Sequence, residues 1–407
     1  MSDIALEEPQ AAYSSFVKAI CHRWTYIQRT VPNINHLFEP LELAIREKLI
    51  PSLIGRTISD IERRIFALPV RFGGMGINDP SKSSSHEFEA SKKITRSLTD
   101  IIVNQEGDYQ NYDKREVDNQ VLAVKSRKEK RLENELKEIY SAVSSKMKRV
   151  LELAKENGSG SWLTAIPKQS LGFTLNKQEF RDSVFLRYGW DIPNTPIFCQ
   201  CGQKNDVDHV LSCKKGGYMS MRHNRIRDLE AEFMREVGFD VRTEPILMPI
   251  GRTNAIPSGN TSQGARLDVS GVGIWGAYEK TFLDIRIMHP NCPSYVNKPI
   301  EKVYAQHERE KKRDYNERVL NVERASFVPI VGSTFGGMGP EANRYHKRIA
   351  SLIADKRKES YVDVISYTRT RLRFSILKSI LTAIRGIRGK SREASTISDI
   401  SYNLVEY

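Results

Sequence analysis

Four residues of the kind that bind soft metals fall between positions 199 and 213: Cys199, Cys201, His209 and Cys213, in the order C-x-C-x7-H-x3-C. Three thiolates and one imidazole fill a tetrahedral zinc shell and leave no position for substrate, so the chemistry they offer is structural. Gly202 allows the backbone to bend tightly after the first pair, and His209 and Cys213, four apart, share one face of a helical turn. The competing interpretation is a pair of buried cysteines near a surface histidine. Downstream, RLDVSG (266–271) and TFLDIRIM (281–288) each carry one carboxylate, Asp268 and Asp284, within an otherwise alternating apolar and polar run. Residues directly opposed on paired strands bring their Cβ atoms to about 4.5–5.5 Å, close enough for two carboxylates to share a cation. Mg²⁺ suits such a site, because it takes one or two carboxylates together with waters and a phosphate. Two strand-end carboxylates in ordinary salt bridges are the alternative.

These groups need elements to hold them. After the cysteines, YMSMRHNRIRDLEAEFMREVGF predicts a helix with Ile226, Leu229, Phe233 and Met234 inward, ending at Gly238. Strands follow around Val241–Leu247, Asp268 and Asp284, then a helix over 299–319 and a strand over 326–332. In FLDIRIM, Asp284 and Arg286 point to one face while Leu283, Ile285 and Ile287 pack on the other. The segment 367–392 reads as a helix with eight Lys or Arg and no acid. Its Ile376, Leu377, Ile380, Leu381 and Ile384 form an apolar face, which leaves Arg369, Arg371, Arg373, Lys378, Arg385 and Arg388 to follow a phosphate backbone. His223 is a further candidate for phosphate contact, with a structural role as its alternative.

Upstream, residues 11–104 read as helical. FEPLELAIREKLI (38–50) sets Leu41, Leu43, Ala44, Leu49 and Ile50 near one face, and ISDIERRIFAL (58–68) opens on a cap signal. Glycines 73, 74 and 76 mark a turn. From Asp108 to Glu156 a charge-rich stretch spaces Leu132, Leu136, Ile139, Val143, Met147, Val150 and Ala154 by threes and fours, the stripe of one long helix. Its basic run KSRKEKR (125–131) suits a solvated helix face, a nucleic-acid contact or a nuclear import signal. NGSGS (157–161) reads as a linker.

The chain has 407 residues, enough for two or three domains. Lys and Arg outnumber Asp and Glu by 63 to 50, for a formal charge of +13, which favours polyanionic partners. Five cysteines, an odd number with three clustered, argue for reduced thiols and a metal rather than a disulfide framework. No apolar run is long enough to span a membrane, and MSDIALEEPQ lacks the flanks of a signal peptide. The expected location is therefore the nucleus or cytoplasm.

Several of these strings resemble a known family. HRWTYIQRTVPNINHLFEPLELAIREKLIPSLIGR and ERRIFALPVRFGGMGINDP are similar to the region that follows the reverse-transcriptase palm in non-LTR (LINE-type) retrotransposon polyproteins. HEREKKRDYNERV through FVPIVGSTFGGMGPEA resembles the endonuclease region of the same polyproteins, and the Cys-Cys-His-Cys cluster resembles the knuckle that precedes it. The likeness runs from about residue 22 to 390. It implies a PD-(D/E)xK restriction-like nuclease that cuts DNA with Mg²⁺, with element RNA and the missing polymerase portion as further partners. Polymerase activity is not expected, since no Asp-Asp dipeptide occurs in the chain. The superfamily places a Lys two residues after its second acid, where this chain has Arg286. In some relatives the Lys stands on the following helix, which makes Lys311 or Lys312 the candidate, with Tyr315 one turn on. Glu244 is a third acid or a surface strand residue.

The expected fold is α+β: a helical region over 1–107, a long charged helix and linker over 108–161, and a zinc-knuckle segment over 162–217. An αβββαβ restriction-endonuclease-like domain with a basic C-terminal helix then covers 218–392, before a tail at 393–407. The expected function is target-site nicking, Zn²⁺ being structural and Mg²⁺ catalytic. The alternatives are an inactive zinc-containing nucleic-acid-binding remnant and a helical scaffold for protein partners.

Overall fold

The computed structural model describes residues 1–105, 114–250 and 259–386, and it divides into two compact units. The first comprises Met1–Trp190, Phe335–Gly337 and Ser360–Phe374; the second comprises Asp191–Thr334, Met338–Glu359 and the chain from Ser375. Together they are a mixed helix and sheet protein with one four-stranded sheet among the described residues. No helix among those residues is long and apolar enough to cross a membrane.

The first unit is helical. Its helix starts carry reciprocal caps, Ser59 with Glu62 and Asn176 with Glu179, each satisfying amides that would otherwise lack partners. The core gathers large rings: Trp162 and Tyr13 each stand 5.8 Å from Phe180, and Phe66 stacks on Tyr188 at 5.1 Å. Gly74 lies so close to the preceding helix that a Cβ there would fall 1.9 Å from the Leu68 carbonyl oxygen. Two features depart from the sequence reading. Residues Ile45–Leu49 form a π-turn, whose extra residue rotates the helix, so Ile45, Leu49 and Ile50 are buried while Leu43 is exposed. The stretch read as one long helix is divided into Lys114–Ala142 and Ser145–Lys155, because the Ser144 hydroxyl accepts from the Met147 amide and starts a new helix. The part of that stretch over 108–113 lies outside the described residues. The segment read as a linker forms a turn in which Ser159 is buried and its hydroxyl donates to the Ala154 carbonyl.

The second unit runs α1 (Val207–Ser212), α2 (Tyr218–Val237), β1 (Phe239–Thr243), β2 (Val269–Val272), β3 (Lys280–Met288), α3 (Ile300–Arg318), β4 (Ser326–Ser333) and α4 (Pro340–Arg357). In α2, Ile226, Leu229, Phe233 and Met234 are buried, as their spacing predicts. The sheet order is β1-β2-β3-β4, with β1–β2 and β2–β3 antiparallel and β3–β4 parallel. Residues 281–285 of β3 are all buried, so both faces of the central strand are covered. Phe282 belongs to a cluster with Leu247, Leu267, Val319 and Phe327, against which Tyr315 packs. β4 is an edge strand, and Pro329 lies opposite Asp284 in its register. Along β4 the Thr334 amide donates inward to Met288, whereas the Val331 carbonyl accepts from the Gly339 amide on the other side.

Candidate active site and metal centre

In the β2–β3 register Val269 faces Leu283. Asp268 stands just before that pairing, with its amide donating to the Leu283 carbonyl at 3.0 Å, and its carboxylate meets that of Asp284. Asp268 Oδ2 accepts from the Ile285 amide at 2.5 Å and lies 3.2 Å from His223 Nε2 on α2. Burial alone would raise the Asp268 carboxyl, but hydrogen bonds and charge from His223, with the Ile285 amide, bring it below its ordinary value. Asp284 behaves oppositely. Burial and the neighbouring Asp268 charge push it up to about 6, although Lys311 opposes them. Two acids in contact with pKa values driven apart mark a place where one more cation would be stabilising. Asp284 Oδ2 also fits a metal ligand: it is buried, and its one near cation is Lys311, whose Nζ stands 2.8 Å away.

The cations sort cleanly. Lys311 alone among the candidates pairs with an acid of the site. Arg286 donates to Glu310 Oε2 at 2.7 Å and to His307 Nδ1 at 2.8 Å, so its charge is engaged away from the carboxylates. Glu310 in turn is drawn down to about 2 by hydrogen bonds from Gln306 and then Arg286. Lys312 points elsewhere, to Glu341 at 2.7 Å, because successive helical residues face about 100° apart. Tyr315 receives a hydrogen bond from Asn260 at 3.3 Å and belongs to the apolar cluster. Glu244 is exposed and engages Arg227 and Arg266, which makes it a surface strand-end residue rather than a third acid. His223, for which the sequence left open a phosphate contact or a structural role, bonds Asp268. That bond raises its pKa against the effect of burial.

Asp284 and Lys311 open onto a cleft of about 570 Å³ that continues past Arg286, His307, Tyr295 and Arg222. The sequence reading missed Arg222 and Glu310. Arg222 is adjacent to His223 in the chain but is only 4% exposed. Its guanidinium meets the Leu211 and Ile287 carbonyls at 3.4 Å.

The metal centre lies in the same unit. One ligand atom from each of Cys199, Cys201, His209 and Cys213 falls within 4.8 Å of the others, so the cluster can hold a metal such as zinc. Cys199 and Cys213 sulfurs are 3.8 Å apart, and Cys201 Sγ is 3.2 Å from His209 Nε2. Thiolates bound at the usual zinc distance to a tetrahedral centre stand about 3.8 Å apart, so the Cys199–Cys213 pair already has the spacing of such a site. Local bonds explain the fold: the Gly202 amide donates to Cys199, the Cys199 amide to Gln203, and Asp206 caps α1 through the His209 amide. Gly202 sits at φ +88°, the left-handed region that a knuckle turn requires. Burial disfavours the Cys199 thiolate, yet the Cys201 amide, His209 and the neighbouring thiols bring its pKa down to about 6. Burial raises Cys213. On α1, Asp208 bonds His289 Nε2 at 2.8 Å, and His289 Nδ1 lies 2.9 Å from the Thr334 hydroxyl.

The basic helix differs from its reading. Helix Tyr361–Arg385 buries residues on more than one face, including Leu372, Phe374, Ile376, Leu377, Ile380, Leu381 and Ile384. Arg373 is buried and donates to the Ser159 carbonyl at 3.1 Å, burial lowering its pKa to about 9. Arg385 donates to the Pro193 and Asn194 carbonyls. Arg369, Arg371 and Lys378 are half-buried. Apolar residues at spacings beyond a single stripe wrap this helix, which leaves no continuous basic face over the described residues. Arg388 lies outside them.

Compared with models of protein families and with curated proteins, the sequence matches none.

Proposed function

We propose that the second unit is a metal-dependent DNA endonuclease of the restriction-like PD-(D/E)xK kind, and that the chain is the downstream part of a LINE-type retrotransposon protein. The observation that carries the reading is the meeting of Asp284 with Asp268 and Lys311, Asp284 and Lys311 lining a cleft. The element order helix, three strands, helix, strand supports it, as does the sequence resemblance.

Asp268 and Asp284 would hold Mg²⁺, which when bound polarises a phosphate and lowers the pKa of a water. The protein's own groups do the rest. Lys311 keeps Asp284 ionised and offers positive charge where it develops on the phosphate. His223 and the Ile285 amide fix the rotamer of Asp268, so one carboxylate oxygen is committed and the other stays available. Arg286, tied to Glu310, shapes the cleft wall. The knuckle would take Zn²⁺ as a structural ion, with no open position for chemistry. DNA would be the substrate, with element RNA and the polymerase portion as partners, in the nucleus or cytoplasm.

The test is nicking of supercoiled plasmid by the full chain in Mg²⁺. Wild type should nick, and Asp268→Ala and Asp284→Ala should not; activity that survives in both variants overturns the assignment. A second reading, a zinc-containing DNA-binding remnant, is favoured by the engagement of Arg286 with Glu310. It predicts DNA binding by wild type with no nicking at all.

A further inference from the structure

Arg222 is a buried charge without a counter-charge. It is 4% exposed, and its pKa falls to about 10 through burial, with no carboxylate acting on it. Its three hydrogen bonds are long, and all go to neutral carbonyls. Leaving a guanidinium in such a place costs several kcal/mol unless an anion meets it there. A second group in the same cleft is also incomplete. His307 Nδ1 lies 2.8 Å from an Arg286 nitrogen, which can only donate, and 3.2 Å from Glu310 Oε2, which can only accept; the shorter contact sets the ring proton on Nε2. His307 Nε2 is buried and has no acceptor. Burial and Arg286 hold the ring neutral. Two donors that lack anions therefore line one cleft with Asp284 and Lys311, beside the ring of Tyr295.

We propose that the part of the cleft lined by Arg222, His307 and Tyr295 is a phosphate subsite, which grips the nucleic-acid phosphate adjoining the one presented to Asp268 and Asp284. This rests on the reading of the cleft as a cutting site. Arg222 forms paired hydrogen bonds to the phosphate oxygens, a geometry a lysine does not reproduce. His307 Nε2 supplies a single neutral donor, and Tyr295 offers a ring face to the attached sugar or base. A strand held at two successive phosphates is fixed in direction as well as position.

The experiment measures binding of the dinucleotide pTpT and of inorganic phosphate to the zinc-loaded full chain without Mg²⁺, by calorimetry, alongside melting temperature. Arg222→Met should weaken pTpT binding at least tenfold while melting no lower than wild type, since it removes an uncompensated buried charge. Arg222→Lys should recover part of the affinity, and His307→Phe should lose a few-fold. The exposed control Arg242→Gln should match wild type. Binding by Arg222→Met within twofold of wild type overturns the proposal. So does a marked fall in its melting temperature, which would assign Arg222 to anchoring the Leu211 and Ile287 carbonyls. Inorganic phosphate bound as tightly as pTpT would overturn the strand assignment in favour of a free anion. Plasmid nicking separates the two readings: Arg222-dependent pTpT binding without nicking sinks the endonuclease and leaves the subsite. Nicking with wild-type kcat/KM in Arg222→Met does the reverse.

Discussion

Lys311 Nζ stands 2.8 Å from Asp284 Oδ2, and it reaches the acid from α3 rather than from the strand position two residues along, where Arg286 is held by Glu310. Removing this partner should therefore damage the site more than removing any other candidate cation. Lys311→Ala is expected to lower the single-turnover nicking rate about 10²–10³-fold, the scale seen when a charge-stabilising donor is lost. Lys312→Ala, whose amine serves Glu341, should stay within a few-fold. Equal losses in the two variants would contradict the assignment.

The acid pair gives the metal-free protein a pH signature. Asp284 is raised from 3.8 to about 6, so its contribution to stability is full at low pH and is lost as pH rises through about 6. Asp268 is depressed, so its contribution is present above its ordinary pKa and lost as pH falls further. Between about pH 4 and 6 the first effect should dominate, lowering stability by on the order of 2 kcal/mol. Chemical denaturation at a series of pH values checks this. Asp284→Asn should abolish the decline, and Mg²⁺ should offset it in wild type. A wild-type profile that is flat across that window rules the mechanism out.

Nicking itself should rise with pH through about 6 as Asp284 ionises, unless Mg²⁺ draws that transition lower. Higher Mg²⁺ is then expected to move the acidic limb to lower pH. A limb insensitive to Mg²⁺ would mean that Asp284 does not hold the ion.

The knuckle predicts one zinc per chain by elemental analysis. Cys213→Ser or chelation should empty it and destabilise the second unit. Because the Cys199 thiol titrates near 6 in the metal-free protein, zinc content should fall as buffers are taken below about 6. Full zinc occupancy in Cys213→Ser would refute the ligand set.

A backbone prediction concerns the first unit. Gly74→Ala places a methyl group 1.9 Å from the Leu68 carbonyl oxygen, and that backbone cannot step aside cheaply. A loss of about 1–3 kcal/mol or more is expected from overpacking. Denaturation followed by tryptophan fluorescence measures it, since Trp162 is buried in the same unit. An unchanged midpoint would show that the turn relaxes.

What the sequence revealed was governed by local periodicity. Alternation around Asp284 is a property of the strand itself, so its nearness to Asp268 could be anticipated from spacing, as could the knuckle residues, although Asp268 stands before β2 and not in it. The roles of Arg286, Lys312 and Glu244 could not. Each depends on a carboxylate or guanidinium from another element, and charge pairing across elements leaves no periodic trace. Arg222 was hidden for a similar reason, because a helix written as YMSMRHNRIRDLE gives no sign that its arginine at 222 turns inward while Arg225 and Arg227 do not pass into the core. The basic helix was legible in part: its apolar face of Ile376, Leu377, Ile380, Leu381 and Ile384 follows from spacing, whereas the burial of Arg373 does not.

The outer side of β4 is covered by the chain itself: its residues from Phe327 to Ser333 are buried, and Gly332 bridges to Met338. Inward and outward backbone groups alternate along this strand, and the bonds of Thr334 and Val331 show that odd-numbered residues face out. Pro329 thus faces that outer side, where it is buried, and has no amide hydrogen to offer. Val331 has already given its carbonyl to Gly339. The proline opposite Asp284 therefore leaves no unmet amide on this buried side, so Pro329→Val, which adds one there, should unfold at lower denaturant than wild type.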